Sequence, residues 1–152
     1  MKPHYGFLVR ILHWCTTNAM DSALKQMDLT GAQGRIMAYL AHAQQPPCPR
    51  DIELAFQLSH PTVSGLLSRL EQKGFLELRT DPEDRRVKRI YVLEKGKQCH
   101  EVMHNIIREN EQRMVQGFAP EERDLFLELL QRAIQNMGGD LTPQRFKEEK
   151  TQ

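Results

Sequence analysis

Residues 58–93 read LSHPTVSGLLSRLEQKGFLELRTDPEDRRVKRIYVL, and this stretch decides the fold. Its first half has apolar residues spaced i, i+3, i+4 and i+7, the pattern of a helix with one buried face. These residues are Val63, Leu66, Leu67 and Leu70. The opposite face carries only short or polar side chains, at His60, Ser64, Gly65 and Ser68. The backbone of such a helix can lie close to the base edges of a DNA groove.

A hairpin with a basic tip is predicted directly after this helix. Two runs of strand-forming residues, 75–79 and 87–93, flank a short connection that contains proline. Gly74 separates helix and hairpin, and glycine readily adopts the left-handed conformation that ends many helices. Four of the five residues 85–89 are basic, so the tip carries a concentrated positive charge.

A shorter helix is predicted over residues 50–57, after a linker that three prolines keep out of helical structure. Its residues predicted to turn inward are Ile52, Leu54, Ala55 and Leu58. Two short helices joined by a tight turn form a helix-turn-helix, whose second helix enters the major groove of DNA. The hairpin is then a wing, and Arg85 and Arg86 at its tip can reach the adjacent minor groove. Asp84 is predicted to orient an arginine there through a charge-assisted hydrogen bond.

The rest of the chain is predicted to form longer helices, at 5–27, 30–42, about 95–115 and 120–137. Thr30 and Gln33 form a capping-box pattern at the start of the second of these. The predicted fold is mainly α with a small β-hairpin wing. It consists of a winged helix-turn-helix reading head at 46–93 and a helical dimerisation region at 1–45 and 94–139. Residues 140–152 are polar and are predicted to form a disordered tail.

Composition and charge exclude several classes of protein. The net charge is +1 and residues 94–140 carry six basic and nine acidic residues, so only the local basic tip favours contact with nucleic acid. The three cysteines, Cys15, Cys48 and Cys99, are too few for a disulfide framework. No apolar run approaches the ~18 residues of a membrane span, and no signal peptide is recognisable. We therefore expect a cytoplasmic protein without membrane contact and without a cofactor.

The chain resembles the MarR family of bacterial transcription regulators over residues 5–138. The resemblance rests on motifs in a fixed order: DLTxxQ at 28–33, LSHPTVS at 58–64, LExKGF at 70–75, DxxDRRxK at 81–88 and EKG at 94–96. It implies a homodimer held by the first and last helices, with two winged heads on a pseudo-palindromic operator in double-stranded DNA. It also implies repression that a small molecule or an oxidant relieves. In one departure, Glu94 replaces the family's usual threonine cap, so the next helix is predicted to start weakly or at a shifted position.

The resemblance also implies which residues contact DNA. Arg86 matches the wing-tip arginine that enters the minor groove, and Asp84 matches its acidic partner. The helix that reads bases and phosphates in the family carries His60, Thr62, Ser64 and Arg69. The full set predicted to contact or organise DNA binding is Arg50, Ser59, His60, Thr62, Ser64, Arg69, Arg79, Asp84, Arg85, Arg86 and Lys88.

Family members often bind aromatic or phenolic effectors between the dimer helices and the reading head. The candidate effector residues here are His13, Trp14, Thr17, Met37 and His42, which mix aromatic and polar side chains. The alternative for Trp14 is a place in the core of the dimer interface. Redox sensing by Cys15 is a further alternative, because one branch of the family keeps a reactive cysteine near the start of this helix. Cys15, however, lies deep within the predicted helix, away from the helix start that favours a reactive thiolate.

One motif points away from DNA. His100, Glu101 and His104 form HExxH on a predicted helix, the arrangement of a zinc hydrolase. A catalytic zinc needs a third protein ligand and an open position, and the following residues do not supply the expected histidine. A regulatory metal site at His100 and His104 is the nearer alternative. We expect instead a solvated flank of a dimer helix, so the sequence predicts no metal site and no enzyme.

Overall fold

The structure is a computed structural model that describes residues 3–141, so nearly all of the predicted tail at 140–152 lies outside the described residues. The elements are α1 (Tyr5–Gln26), α2 (Gly31–Ala41), α3 (Pro49–Phe56), α4 (His60–Gln72), β1 (Leu76–Thr80), β2 (Lys88–Val92), α5 (Glu94–Met114) and α6 (Pro120–Asn136). The predicted class, mainly α with a small β-hairpin wing, is confirmed.

The joint between α1 and α2 forms as its residues predict. The Thr30 hydroxyl accepts a hydrogen bond from the Gln33 amide at 3.2 Å, and the Gln33 side chain accepts one from the Thr30 amide at 3.0 Å. Asp28 adopts a left-handed φ of 57°, which turns the chain between the helices. Leu29 then points into the core, so the predicted capping box is confirmed and anchored by a buried leucine.

The turn between α3 and α4 departs from prediction in one hydrogen bond. Ser59 occupies the position before α4 with an extended backbone, as expected for a cap. Its hydroxyl, however, hydrogen bonds with the Thr62 hydroxyl at 2.8 Å and not with a backbone amide. A serine just before a helix predicts a side-chain cap, and that prediction is wrong here, because the Ser59 hydroxyl bonds with that of Thr62.

The inward face of α3 is narrower than predicted. Ile52 is completely buried, whereas Leu54 is 64% exposed, so the inward assignment of Leu54 is wrong. A helix turns about 100° per residue, which places Leu54 about 200° from Ile52 on a helix of only eight residues. Ile52 and Glu53 are the buried residues of this short helix, and Leu54 faces away from the core.

The wing is a two-stranded antiparallel hairpin in which Leu76 pairs with Val92 and Thr80 with Lys88. Gly74 has a φ of 77°, which confirms its predicted left-handed role at the end of α4. After the wing, α5 begins at Glu94 itself, and the preceding Leu93 supplies no side-chain cap. Glu94 therefore does not delay the helix, and it lies in the first turn, where an acidic side chain interacts favourably with the helix dipole.

The core lies within and just behind the reading head. It consists of Leu24, Leu29, Ile36, Met37, Leu40, Ile52, Val63, Leu67, Leu70, Phe75, Leu76, Ile90, Cys99 and Met103. The outer helices contribute little to it: Leu24 is the one buried residue of α1, and α6 has none. Within residues 3–141, no helix is both long and apolar enough to traverse a bilayer.

Candidate nucleic-acid interface

A buried carboxylate organises the start of α4, the predicted recognition helix. Glu53 on α3 is only 7% exposed. Its Oε1 lies 2.6 Å from Nδ1 of His60, and its Oε2 accepts a hydrogen bond from Nη1 of Arg50 at 2.9 Å. The bond from His60, and then that from Arg50, hold the pKa of the Glu53 carboxyl below its ordinary value. The carboxylate is thereby kept ionised, with two predicted DNA-contacting side chains attached to it.

The other predicted contacts on α4 lie along its outer face. Ser59 and Thr62 are exposed at the start of the helix and are bonded to each other. Ser64 and Arg69 are exposed further along, while Val63, Leu67 and Leu70 are buried on the opposite side. The predicted division into an apolar buried face and a short polar outer face is confirmed.

The wing tip contains the predicted pairing of acid and arginine. Nε and Nη2 of Arg86 donate to the two oxygens of Asp84 at 3.1 and 3.2 Å, and the Arg86 amide donates to Oδ1 at 3.0 Å. These bonds, first from the side chain and then from the backbone, lower the pKa of Asp84. The Arg86 side chain is nevertheless 90% exposed, so it is oriented without being covered.

A second carboxylate holds the base of the wing tip. Asp81 is 9% exposed and accepts hydrogen bonds from Nε of Arg89 at 2.7 Å and from the amides of Glu83 and Asp84 at 2.8 and 3.4 Å. The bond from Arg89, and next that from the Glu83 amide, lower the pKa of Asp81. Arg89 is thus paired with Asp81 within the wing and is half-buried, although it belongs to the basic run at 85–89.

The remaining wing cations differ in how firmly they are placed. The Arg79 guanidinium lies 4.6 Å from the centre of the Tyr91 ring and also pairs with Glu77. Arg85 and Lys88 are exposed at the tip and the start of β2. Arg79 is therefore preorganised on the outer surface of the wing, whereas the side chains of Arg85 and Lys88 extend into solvent.

A groove runs between the two helices of the reading head and the wing. Its volume is about 820 Å³, and its lining includes Arg50, Glu53, His60, Ser64, Arg86 and Lys88. The structure therefore brings residues of α3, α4 and the wing tip around one open concavity that carries both cations and hydrogen-bonding groups. We call this concavity the α4–wing groove.

Glu53 and Asp81, the two organising carboxylates, were not predicted from the sequence. The i, i+3 spacing of Arg50 and Glu53 is a signal for an ion pair on a helix. Asp81 followed by Pro82 is a signal for a turn in which an aspartate accepts backbone bonds. Neither signal indicates that the carboxylate is buried.

The five predicted effector residues lie in different places. His13 lines a cavity of about 530 Å³ between α1, the end of α5 and α6, together with residues such as Leu12, Arg123 and Phe126. Met37 is buried in the core, and Trp14 is 63% exposed. Thr17 donates its hydroxyl proton to the backbone oxygen of His13. His42 is exposed at the end of α2, so a single chain does not gather these five side chains into one cavity.

The histidine pair on α5 has a neighbour that sequence reasoning did not find. The ring of His42 lies 5.8 Å from that of His100, which lies 6.3 Å from that of His104. Cys99, beside His100 in sequence, is buried in the core, and burial raises the pKa of its thiol. Within residues 3–141, no three His, Cys, Asp or Glu side chains are grouped so that they could hold a metal ion.

Known proteins match both the sequence and this geometry. Residues 27–87 match the model of the MarR family. A DNA complex of S. aureus MepR is 31% identical, covers 88% of this chain and 99% of its own, and superposes with a TM-score of 0.80. A mutant of MepR bound to an oligodeoxyribonucleotide is also 31% identical over 90% and 99% of the two chains, with a TM-score of 0.75. A protein from Clostridium acetobutylicum described as a MarR family transcriptional regulator is 27% identical over 87% and 97%, with a TM-score of 0.74. The chain therefore belongs to the MarR family of winged-helix transcription regulators.

Proposed function

We propose that this protein is a transcriptional repressor that binds a pseudo-palindromic operator in double-stranded DNA. The observation that carries the proposal is the α4–wing groove, where the short polar face of α4 and the oriented Arg86 lie on the same side of the molecule. A helix with that face fits the major groove, and an extended arginine fits the adjacent minor groove. The S. aureus relative that superposes on this chain is itself in complex with DNA.

We further propose that the active form is a homodimer built from residues 1–45 and 94–139. In support, the outer helices of the single chain expose long apolar stripes; these include Phe7, Leu8, Ile11 and Trp14 on α1 and Leu125, Leu127 and Leu129 on α6. Apolar patches of this extent mark association surfaces in proteins of this size. A two-fold dimer requires a pseudo-palindromic site with half-sites about one helical turn of DNA apart.

The proposed signal is a small aromatic or phenolic effector that releases the repressor from DNA. The cavity at His13 supports this part of the proposal, because its volume of about 530 Å³ lies within the range of small-molecule sites. Its walls are mainly apolar, with His13, Thr16, Glu111, Arg123 and Asp124 as polar groups. Since α1 and α6 also carry the proposed dimer surface, an occupant there would alter the spacing of the two reading heads.

The proposal assigns no catalytic step and no cofactor to the chain, and it places the protein in the bacterial cytoplasm with its DNA. The test is fluorescence anisotropy with labelled DNA from upstream of the protein's own gene, with and without a chelator. We expect saturable binding, for which unrelated DNA of equal length is a poor competitor. The chelator should not change the affinity. Equal affinity for the two DNAs would contradict a sequence-specific regulator.

A further inference from the structure

Two exposed side chains, Arg50 at the start of α3 and His60 at the start of α4, hydrogen bond to one buried carboxylate. The side chains of His60 and Arg50 are 74% and 71% exposed, whereas that of Glu53 is 7% exposed. Only 2.6 Å separate Oε1 of Glu53 from Nδ1 of His60. Because the Glu53 carboxylate is buried on α3, its position is fixed. It therefore holds the His60 ring through Nδ1.

The chemistry of this contact determines which nitrogen of His60 carries the proton. An ionised carboxylate can only accept hydrogen bonds, so a contact this short requires a proton on Nδ1. In the neutral ring the single proton is then on Nδ1, and Nε2 has a free lone pair. In the protonated ring Nδ1 keeps its bond to Glu53, and Nε2 becomes a second donor.

We propose that Glu53 is a positioning residue that locks neutral His60 as the Nδ1–H tautomer, so that Nε2 accepts a hydrogen bond from a base amine in the major groove. The candidate amines are N6 of adenine and N4 of cytosine, since guanine and thymine present acceptors there. On protonation His60 donates instead, which favours the acceptors N7 and O6 of guanine. This inference rests on the proposed DNA binding, and it adds a base-reading residue and the carboxylate that sets its polarity.

Other charged or titratable groups line the groove together with His60. Arg50 and Cys48 belong to the α3 side, Glu71 to α4, and Arg86 and Lys88 to the wing. Arg50 donates to Oε2 of Glu53, whereas His60 bonds to Oε1. The two side chains therefore do not compete for the same acceptor atom. Phosphate contacts by the cations change affinity for all sequences alike, whereas the His60 tautomer changes the preference at one base pair.

The first test needs no DNA. Long-range ¹H–¹⁵N NMR spectra of uniformly ¹⁵N-labelled protein distinguish a protonated from an unprotonated imidazole nitrogen. In the neutral ring we expect protonated Nδ1 and unprotonated Nε2 for His60, with that pattern lost in Glu53→Gln, whose amide can donate as well as accept. The Nε2–H tautomer in the wild type would overturn the inference while leaving the proposed function intact.

The second test measures base preference. Affinities of wild type, Glu53→Gln and His60→Phe are measured across a pH series for the upstream DNA and for every single base-pair change in one half-site. At one position we expect the wild type to prefer adenine or cytosine by on the order of fivefold, the scale of one hydrogen bond. That preference moves toward guanine as the His60 ring becomes protonated, and both variants lose the preference and its pH dependence at that position alone.

The matched control is Arg50→Gln, which removes the other partner of Glu53 and leaves the His60 contact in place. We expect it to weaken binding to all sites by a similar factor and to keep the base profile. A Glu53→Gln protein with the wild-type base and pH profile would overturn the inference, as would a His60→Phe protein with that profile. A wild type that binds no site above the level of unrelated DNA would instead overturn the proposed function. The His60→Phe change is on an exposed side chain, so it remains informative if the buried Glu53 variant does not fold.

Discussion

Asp84 and Arg86 form a bidentate ion pair at the wing tip, with Nε and Nη2 of the arginine 3.1 and 3.2 Å from the two carboxylate oxygens. The arginine side chain remains almost wholly exposed. An ion pair this exposed contributes little to stability, so its consequence is the fixed direction of the guanidinium. The wing therefore presents a preorganised cation at the position where the resemblance implies a minor-groove contact.

We predict that Arg86→Ala weakens operator binding by about 1–3 kcal/mol, the scale of a lost groove contact. Asp84→Ala should weaken operator binding as well, because Arg86 without its carboxylate partner loses conformational freedom when it binds DNA. Simple electrostatics predicts the opposite sign, since the variant removes a negative charge near phosphate. Glu83→Ala is the control: it removes a neighbouring exposed acid and should leave binding unchanged or tighten it. Tighter binding by Asp84→Ala in anisotropy titrations would contradict preorganisation.

The buried Asp81 predicts a pH dependence of wing stability. Its hydrogen bond from Arg89 lowers its pKa in the folded protein below the ordinary value of 3.8. The stabilisation is therefore complete above pH 3.8 and is lost as the pH falls below 3.8 through the folded value. Asp81→Asn should lower the melting temperature at pH 7, and its difference from wild type should shrink below pH 3.8. A difference that is the same at pH 7 and pH 3 would show that the charge of Asp81 is not the cause.

Gly96 is predicted to tolerate no side chain. A Cβ there would lie 2.4 Å from the carbonyl oxygen of Phe75 and 2.6 Å from Cγ1 of Val92, where α5 crosses the end of the wing. Gly96→Ala should therefore destabilise the fold by about 1–3 kcal/mol through overpacking. Gly65→Ala is the matched control, since a Cβ there meets nothing within 4 Å and alanine favours a helix interior. Chemical denaturation of the two variants should change the free energy of unfolding in opposite directions.

The exposed stripe of α6 predicts the oligomeric state. We expect a dimer in sedimentation at micromolar concentration, and a monomer when Leu125 and Leu129 are both changed to Glu. Leu54→Glu is the control, because Leu54 is more exposed than those residues but lies on α3 in the reading head. It should leave the dimer intact. A wild type that sediments as a stable monomer would contradict the proposed assembly.

For the HExxH motif we predict that DNA binding survives metal removal and that the purified protein hydrolyses no peptide. Two histidines on one helix supply only half of a tetrahedral zinc shell. The decisive assay is operator affinity across a zinc titration for wild type and for the double variant His100→Ala, His104→Ala. His42→Ala is a useful third protein, because its ring neighbours His100. A zinc effect in wild type that disappears in the double variant would make the protein a metal sensor.

Local structure was determined largely by the sequence itself. The apolar spacing of Val63, Leu67 and Leu70, the left-handed Gly74 and the capping box of Thr30 and Gln33 all formed as predicted. Helical period, turn preference and capping depend on residues within about one turn of each other, so they can be read from neighbours in sequence. The order of these signals was also enough to indicate a winged helix-turn-helix.

Only the tertiary structure decided which polar side chains became buried and which distant ones met. Glu53 reaches His60 across the turn between two helices, Asp81 holds Arg89 across the wing loop, and His42 meets His100 from another helix. Leu54 faces solvent because its buried neighbours, Ile52 and Glu53, set the rotation of an eight-residue helix. These outcomes depend on how helices cross and how far each rotates about its axis, which packing of the whole core determines. The spacing of apolar residues in the sequence predicts that a helix has a buried face. Which residues pack against that face, and what the helix binds, depends on the tertiary structure.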